Sequence, residues 1–272
     1  MDSQQAFGLL LLVIISQLKE TVGSPIKACG VWNTIDEQFP WAVGIYSGDS
    51  ENKLELVCQG TVILDNIVAT SAHCVCGLLD NKVKSNLYVS NQIKNQLQSG
   101  STSIKIQPSE VFCHKEYKGF LFYPYADIAI IKTTKLVFGD SKPTPVCVDW
   151  SDLNVPSIQE VKNGLLPIWS TNMKIFKALS LDSDTCTAFT SDDFLYVLDN
   201  DKLCLKTDFV PNDSVNIGSG LIIKNPKDGL YYLEGILSYV DSDSNRKGKS
   251  TPIGATSIRQ YINWLSHTCV RE

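Results

Sequence analysis

The amino-acid sequence predicts an all-β fold with one helix at its C-terminal end. Most of the chain consists of short, β-rich segments separated by turn residues, which is typical of barrel architectures. Only the last part has apolar residues at helical spacing, at Ile258, Tyr261, Ile262 and Leu265. With 272 residues, 43% of them hydrophobic, the chain can form one large domain with a sizeable core.

The predicted strands recur along the chain after residue 38. They are Phe39–Tyr46, Leu54–Cys58, Thr61–Leu64, Ser103–Gln107, Ile128–Ile131, Leu230–Leu233 and Gly235–Ser238. Gly-Asp-Ser and Asp-Asn sequences separate the first three, as expected of turns. We therefore predict antiparallel strands joined by short connections.

The N-terminal residues predict a signal peptide. An apolar run from Ala6 to Ile15, interrupted only by Gly8, is followed by small residues up to Ser24. The run is too short for a membrane span, and a buried N-terminal strand or helix is the alternative. We expect a signal peptide over 1–23, a leader over 24–38 tied by Cys29, one domain over 39–269, and secretion.

Charge and cysteine content limit the partners. The formal net charge is −5, so no basic surface for nucleic acid or an anionic membrane is indicated. Nine cysteines favour an oxidising compartment. The sequence has Cys74-Val-Cys76 but lacks Cys-x-x-Cys and His-x₃₋₅-His spacings, so no metal or other cofactor is expected. The odd count leaves Cys269 as the candidate for an intermolecular disulfide.

At Ser71-Ala-His-Cys74 the sequence begins to resemble a known family, the chymotrypsin/trypsin-type serine proteases. The matching segments keep the family's order and spacing between about residues 29 and 269. They are Phe39–Trp41, Val57–Val62, Val68–Val75, Tyr125–Ile130, Ile168–Ser170, Gly218–Gly220, Gly235–Tyr239 and Tyr261–Trp264. The residues around Leu54–Cys58 and Tyr231–Leu233 are most similar to arthropod members.

The resemblance implies two packed six-stranded antiparallel β-barrels with the active site in the crevice between them. Residues 39–269 would then form a trypsin-like domain. The resemblance further implies the pairs Cys58–Cys74, Cys186–Cys204 and Cys29–Cys147, with Cys76–Cys113 as an extra bridge. Each closed loop would stabilise the fold by a few kcal/mol.

The same resemblance places a catalytic triad at His73, Asp127 and Ser219. Acyl transfer at a serine requires a base, an acid that orients the base, and donors for the oxyanion. All three residue types are retained. The triad by itself therefore predicts an enzyme.

The residues beside Ser219 depart from the family. Two positions before its nucleophile the family has a glycine whose N–H binds the oxyanion, and here the residue is Ile217. Loss of one such donor reduces the rate by about 10²–10³-fold. The aspartate that normally precedes the serine, and that pairs with a newly cut N-terminus, is replaced by Gly218. No Lys or Arg lies between Cys29 and Phe39, so both partners of that activation pair are missing.

The predicted substrate pocket also departs from the family. It comprises Ser238, Val240, Ile253 and Asp213. Val240 and Ile253 replace glycines that normally line an open pocket, and Val215 replaces a bracing cysteine. Asp213 lies near the family's pocket aspartate but within Asn212-Asp-Ser214, a glycosylation sequon if exposed.

Three functions follow as alternatives. The first is a secreted, non-catalytic protease homologue, a pseudoenzyme that binds extracellular proteins, proteases of a cascade among them. The second is an active endopeptidase that uses His73, Asp127 and Ser219 with a small, elastase-like pocket. The third is a purely structural secreted domain. Four coordinated losses favour the first, and the retained triad favours the second.

Overall fold

The computed structural model describes most of the chain after residue 28. The described residues are 29–32, 39–50, 53–77, 82–91, 103–119, 125–134, 136, 143–150, 163–169, 173–198, 200–208, 217–241 and 250–270. The predicted signal peptide, Asp213 and Val215 lie outside them. Within these ranges, no helix combines the length and the apolar character needed to cross a membrane.

The first half of the chain forms a seven-stranded antiparallel sheet. Its strands are β1 (Ala42–Ser47), β2 (Glu55–Leu64), β3 (Ile67–Thr70), β4 (Leu87–Ser90), β5 (Ile104–Ile106), β6 (Val111–Cys113) and β7 (Ala129–Lys132). Their order across the sheet is β5-β4-β1-β2-β3-β7-β6. In the described residues this sheet forms a half-barrel, with one strand more than the six that the resemblance implied.

A 3-10 turn at Pro108–Glu110 accounts for the extra strand. It separates β5 from β6, which lie at opposite edges of the sheet. Pro108 has no N–H to donate to a ladder, and the Gln107 N–H donates to the Glu110 carboxylate at 2.7 Å. The strand is therefore interrupted where these residues form a turn.

The second half forms a closed six-stranded antiparallel barrel. Its strands are β8 (Gly164–Trp169), β9 (Met173–Ser180), β10 (Lys202–Thr207), β11 (Gly220–Lys224), β12 (Tyr231–Val240) and β13 (Thr251–Ser257). They close in the order β10-β13-β12-β11-β8-β9. The predicted all-β class is confirmed.

Four short α-helices complete the fold of the described residues. They are α1 (Ala72–Val75), α2 (Ser183–Phe189), α3 (Asp192–Val197) and α4 (Ile262–Val270). The last was predicted, whereas α2 and α3 were not. Asp182 caps α2 and Ser191 caps α3, each accepting a main-chain N–H with its side chain.

The structure contains the four disulfides that the resemblance implied. They are Cys29–Cys147, Cys58–Cys74, Cys76–Cys113 and Cys186–Cys204. Cys269 is the free cysteine of the described residues, but it is buried on α4 with 8% of its surface exposed. This burial argues against the intermolecular disulfide expected at Cys269, because a partner thiol would have to reach it inside the folded chain.

Candidate active site

His73 lies on the four-residue helix α1 between the two barrels. Disulfides at Cys74 and Cys76, just after it, tie this helix to β2 and β6. The Lys84 ammonium donates to the carbonyl oxygens of His73 at 2.7 Å and Cys74 at 3.2 Å. These bonds satisfy helix-end carbonyls that have no partner within so short a helix. The position of His73 is therefore fixed by covalent and polar contacts.

Asp127 is fully buried and binds His73 at two points. Its Oδ2 lies 2.8 Å from His73 Nδ1, and its Oδ1 accepts the His73 main-chain N–H at 2.9 Å. Because an ionised carboxylate only accepts, Nδ1 carries the hydrogen. Burial by itself raises the pKa of Asp127, but the charge and hydrogen bond of His73, the charge of Lys202 and the hydrogen bond of Ser238 together lower the pKa below its ordinary value. Asp127 is therefore the ionised orienter of the imidazole.

The second barrel supports Asp127 from behind. The Ser238 hydroxyl donates to Oδ2 at 2.5 Å, and the Thr256 hydroxyl donates to the Asp127 carbonyl oxygen at 3.1 Å. Ser238, which was predicted at the substrate pocket, therefore directs its side chain at the carboxylate. Both hydroxyls are buried. Asp127 thus joins the two halves of the molecule.

A buried ion pair holds the turn just before Asp127, and sequence reasoning missed it. Ala126 has a φ of 54°, a conformation that costs a non-glycine residue about 1–2 kcal/mol. Its N–H donates to Asp201 Oδ2 at 3.0 Å, which also accepts from the Tyr261 hydroxyl at 2.7 Å. Lys202 Nζ donates to Asp201 Oδ1 at 2.7 Å. In the sequence, the only sign of this ion pair is that Asp201 and Lys202 are adjacent and oppositely charged at the start of a strand. Such a pair usually indicates a solvent-exposed turn.

Ser219 does not join this network. Its hydroxyl donates to the Pro167 carbonyl oxygen on β8 at 2.5 Å, and only 2% of the residue is exposed. Within the part of the chain that the structure describes, no hydrogen bond links Ser219 to His73. The structure thus brings His73 and Asp127 together, while the Ser219 hydroxyl binds a main-chain carbonyl of the second barrel.

The peptide before Ser219 crosses between the two barrels. The Ile217 carbonyl accepts the Gln59 N–H from β2 at 2.8 Å, and the Gly218 N–H donates to the Leu237 carbonyl on β12 at 2.8 Å. Gly218 has a φ of 87°, which glycine alone adopts readily. A side chain there would collide with the Gln59 carbonyl and the Thr70 hydroxyl. The loop therefore requires glycine at this position.

The predicted pocket residues Val240 and Ile253 lie opposite each other in the β12–β13 ladder. Ile253 is fully buried in the apolar core of the second barrel. Val240 and Ile217 are partly buried and pack against the same core. Three branched apolar side chains therefore belong to one cluster in the second barrel.

A metal ion does not fit the donor atoms beside His73. Ligand atoms of Cys58, His73 and Cys74 lie within 4.8 Å of one another. The two cysteines form a disulfide and therefore offer no thiolate. One imidazole remains, whereas protein zinc sites use at least three ligands.

Comparisons with known proteins agree with this geometry. The family model described as Trypsin matches residues 30–265. The chain is 25% identical to the clotting factor G beta subunit of Tachypleus tridentatus, over 84% of the chain and 74% of that protein. It is 23% identical to chymotrypsin-C of Bos taurus, over 95% and 97% respectively. It is 22% identical to coagulation factor IX of Oryctolagus cuniculus, over 92% and 87%.

Proposed function

This chain belongs to the trypsin family, and we propose that it is a non-catalytic homologue that acts by binding other proteins. Its partners would be extracellular proteins, including proteases of a cascade. The apolar N-terminal run and the four disulfides support secretion into an oxidising compartment. The names of the clotting relatives support the cascade.

One observation carries the proposal, the hydrogen bond from the Ser219 hydroxyl to the Pro167 carbonyl. A serine nucleophile needs its proton directed at a base within hydrogen-bond reach. Here the proton is directed at a main-chain carbonyl, which cannot remove it. To attack a substrate, Ser219 would have to break this bond and leave a 2%-exposed site.

The apolar cluster of Ile217, Val240 and Ile253 also supports binding without cleavage. A protease pocket must admit a substrate side chain beside the nucleophile. At the paired positions Val240 and Ile253, branched side chains pack against the barrel core. Opening a cavity there would expose apolar surface to water, at a free-energy cost of about 25 cal/mol per Å².

The leader lacks the features of activation by cleavage. Cys29 is tied to Cys147, the Gly30 N–H donates to the Pro145 carbonyl at 2.8 Å, and the Gly30 carbonyl accepts the Tyr231 N–H at 3.0 Å. The chain from Cys29 to Phe39 has no Lys or Arg. We therefore propose that the protein binds its partners as a single uncut chain.

The assembled His73–Asp127–Ser238 group favours a second candidate function, a slow endopeptidase that uses His73, Asp127 and Ser219. The imidazole has the tautomer that a general base requires, with Nδ1 donating to the carboxylate. In this account a bound substrate would have to draw the Ser219 hydroxyl away from Pro167.

A cascade assay separates the two functions. Wild-type protein and the Ser219→Ala variant would be added at equal concentrations to a reconstituted set of extracellular proteases, with chromogenic substrates reporting each protease. We expect the two proteins to change protease activity equally, because binding does not use the Ser219 hydroxyl. An effect of the wild type that the variant loses would support the endopeptidase instead.

A further inference from the structure

We infer that Ile217, and not Ser219, is the residue whose side chain faces His73 across the crevice. This inference deepens the proposed function, on which it rests, by naming the residue that fills the nucleophile's place.

The Ile217–Gly218 peptide lies close to the His73 turn. The Leu237 carbonyl oxygen accepts both the Gly218 N–H at 2.8 Å and the Ser71 hydroxyl at 2.9 Å. Ser71 lies two residues before His73, and Leu237 directly precedes Ser238, which binds Asp127. One acceptor atom thus binds both the loop and the turn that carries His73, one residue before the serine that supports Asp127.

The two residues after Ile217 direct their substituents elsewhere. The position of a Gly218 side chain is occupied by the Gln59 carbonyl and the Thr70 hydroxyl. The Ser219 side chain is directed at Pro167 on β8, and the Leu237 N–H donates to the Ser219 carbonyl at 2.8 Å, which begins the β11–β12 ladder. Ser219 is therefore part of the barrel wall.

Of the three residues, Ile217 is left as the one whose side chain can face the crevice. Its side chain is partly exposed and packs against both the core of the second barrel and the larger apolar cluster that includes the first sheet. Its carbonyl accepts the Gln59 N–H of β2, so Ile217 lies where the two halves meet. His73 and Asp127 also lie where the two halves meet, since Asp127 binds both His73 and Ser238 of the second barrel. An aliphatic side chain there has no proton to give and shields the imidazole. The match at Gly218-Ser219-Gly220 is then two residues out of register with the structural nucleophile position.

Introduced thiols test this inference without requiring catalysis. Ile217→Cys and Ser219→Cys would each be made with Cys269→Ala, so that the new cysteine is the single free thiol. Iodoacetamide alkylation would be followed from pH 5 to 10. We expect the Ile217→Cys thiol to react in the folded protein, with a midpoint at least about one pH unit lower than in Ile217→Cys/His73→Ala, because an imidazolium stabilises a thiolate. The Ser219→Cys thiol should react only after unfolding.

The inference is overturned if Ser219→Cys has the His73-dependent midpoint. It is also overturned if the Ile217→Cys thiol is unreactive in the folded state or its midpoint is independent of His73. Either result would leave the proposed non-catalytic function standing or falling on its own test, because the introduced thiols do not report on substrate turnover.

A second measurement tests the inference if the cysteine variants fail to fold. Diethyl pyrocarbonate modification of His73, followed by mass spectrometry, would be compared in Ile217→Ala and Ser219→Ala. We expect modification to be several-fold faster in Ile217→Ala than in the wild type, because the isoleucine side chain covers the imidazole. In Ser219→Ala the rate should equal that of the wild type. Faster modification in Ser219→Ala alone would contradict the inference.

Discussion

The Asp127 carboxylate binds His73 twice, through the main-chain N–H at 2.9 Å and through Nδ1 at 2.8 Å. The first bond fixes the start of helix α1 and the second fixes the orientation of the imidazole ring. Ser238 adds a third bond from the opposite barrel. The same carboxylate therefore orients a histidine and joins the two halves of the fold, so its retention is compatible with a structural role.

We expect Asp127→Asn to destabilise the protein by about 3 kcal/mol, because an amide NH₂ would face groups that donate hydrogen bonds. Urea unfolding measures this. Glu55→Gln, at an exposed position on β2, is the matched control and should change stability by less than about 0.5 kcal/mol. Equal effects of the two variants would contradict the structural role.

The pH dependence of stability has a definite sign. The pKa of Asp127 is lowered in the folded state, so its contribution is fully present above the ordinary carboxyl pKa of about 4 and is lost as the pH falls through the folded value. Wild type should lose more stability than Asp127→Asn between pH 5 and 3. If the free energies of unfolding of the two proteins differed by the same amount across this range, the ionised carboxylate would not be the form that contributes stability.

Lys202→Met should cost about 3–5 kcal/mol, because it leaves the Asp201 carboxylate buried without its ammonium partner. Asp201→Asn/Lys202→Met should recover part of this loss. The measurement is a double-mutant cycle by chemical unfolding. Additive effects of the two single changes would mean that the pair does not interact as the structure indicates.

Gly218→Ala and Gly229→Ala form a matched pair. Both glycines have positive φ, at 87° and 76°, but a side chain at Gly229 meets nothing within 4 Å. Gly229→Ala should therefore cost about 1–2 kcal/mol from backbone strain alone. Gly218→Ala should cost clearly more, because its side chain collides with the Gln59 main chain. Thermal unfolding of both variants checks this, and equal costs would mean that the loop is not confined there.

The Cys269 thiol should be unreactive in the native protein. Burial raises its pKa to about 12, so at pH 8 about one thiol in 10⁴ is ionised. Iodoacetamide should label it only after unfolding, and non-reducing electrophoresis should show no disulfide-linked dimer. Rapid native labelling would place the thiol at the surface.

Sequence reasoning identified the strands around His73 and Asp127 because strand pattern and motif coincide there. It did not identify α2 and α3, which have only two turns or fewer and depend on the caps at Asp182 and Ser191. The sequence also did not predict the direction of the Ser219 side chain. Residue types specify what a loop contains, whereas the hydrogen bonds of Ile217, Gly218 and Leu237 decide which side chain faces the crevice.

The most direct test of the central claim is labelling of the purified protein by a fluorophosphonate probe, which reacts with an activated serine. A catalytically competent trypsin-family protease serves as the positive control, and Ser219→Ala as the negative control. We predict no labelling of the wild type above the level of Ser219→Ala. Stoichiometric labelling that Ser219→Ala abolishes would show that Ser219 is an activated nucleophile and would contradict the non-catalytic account.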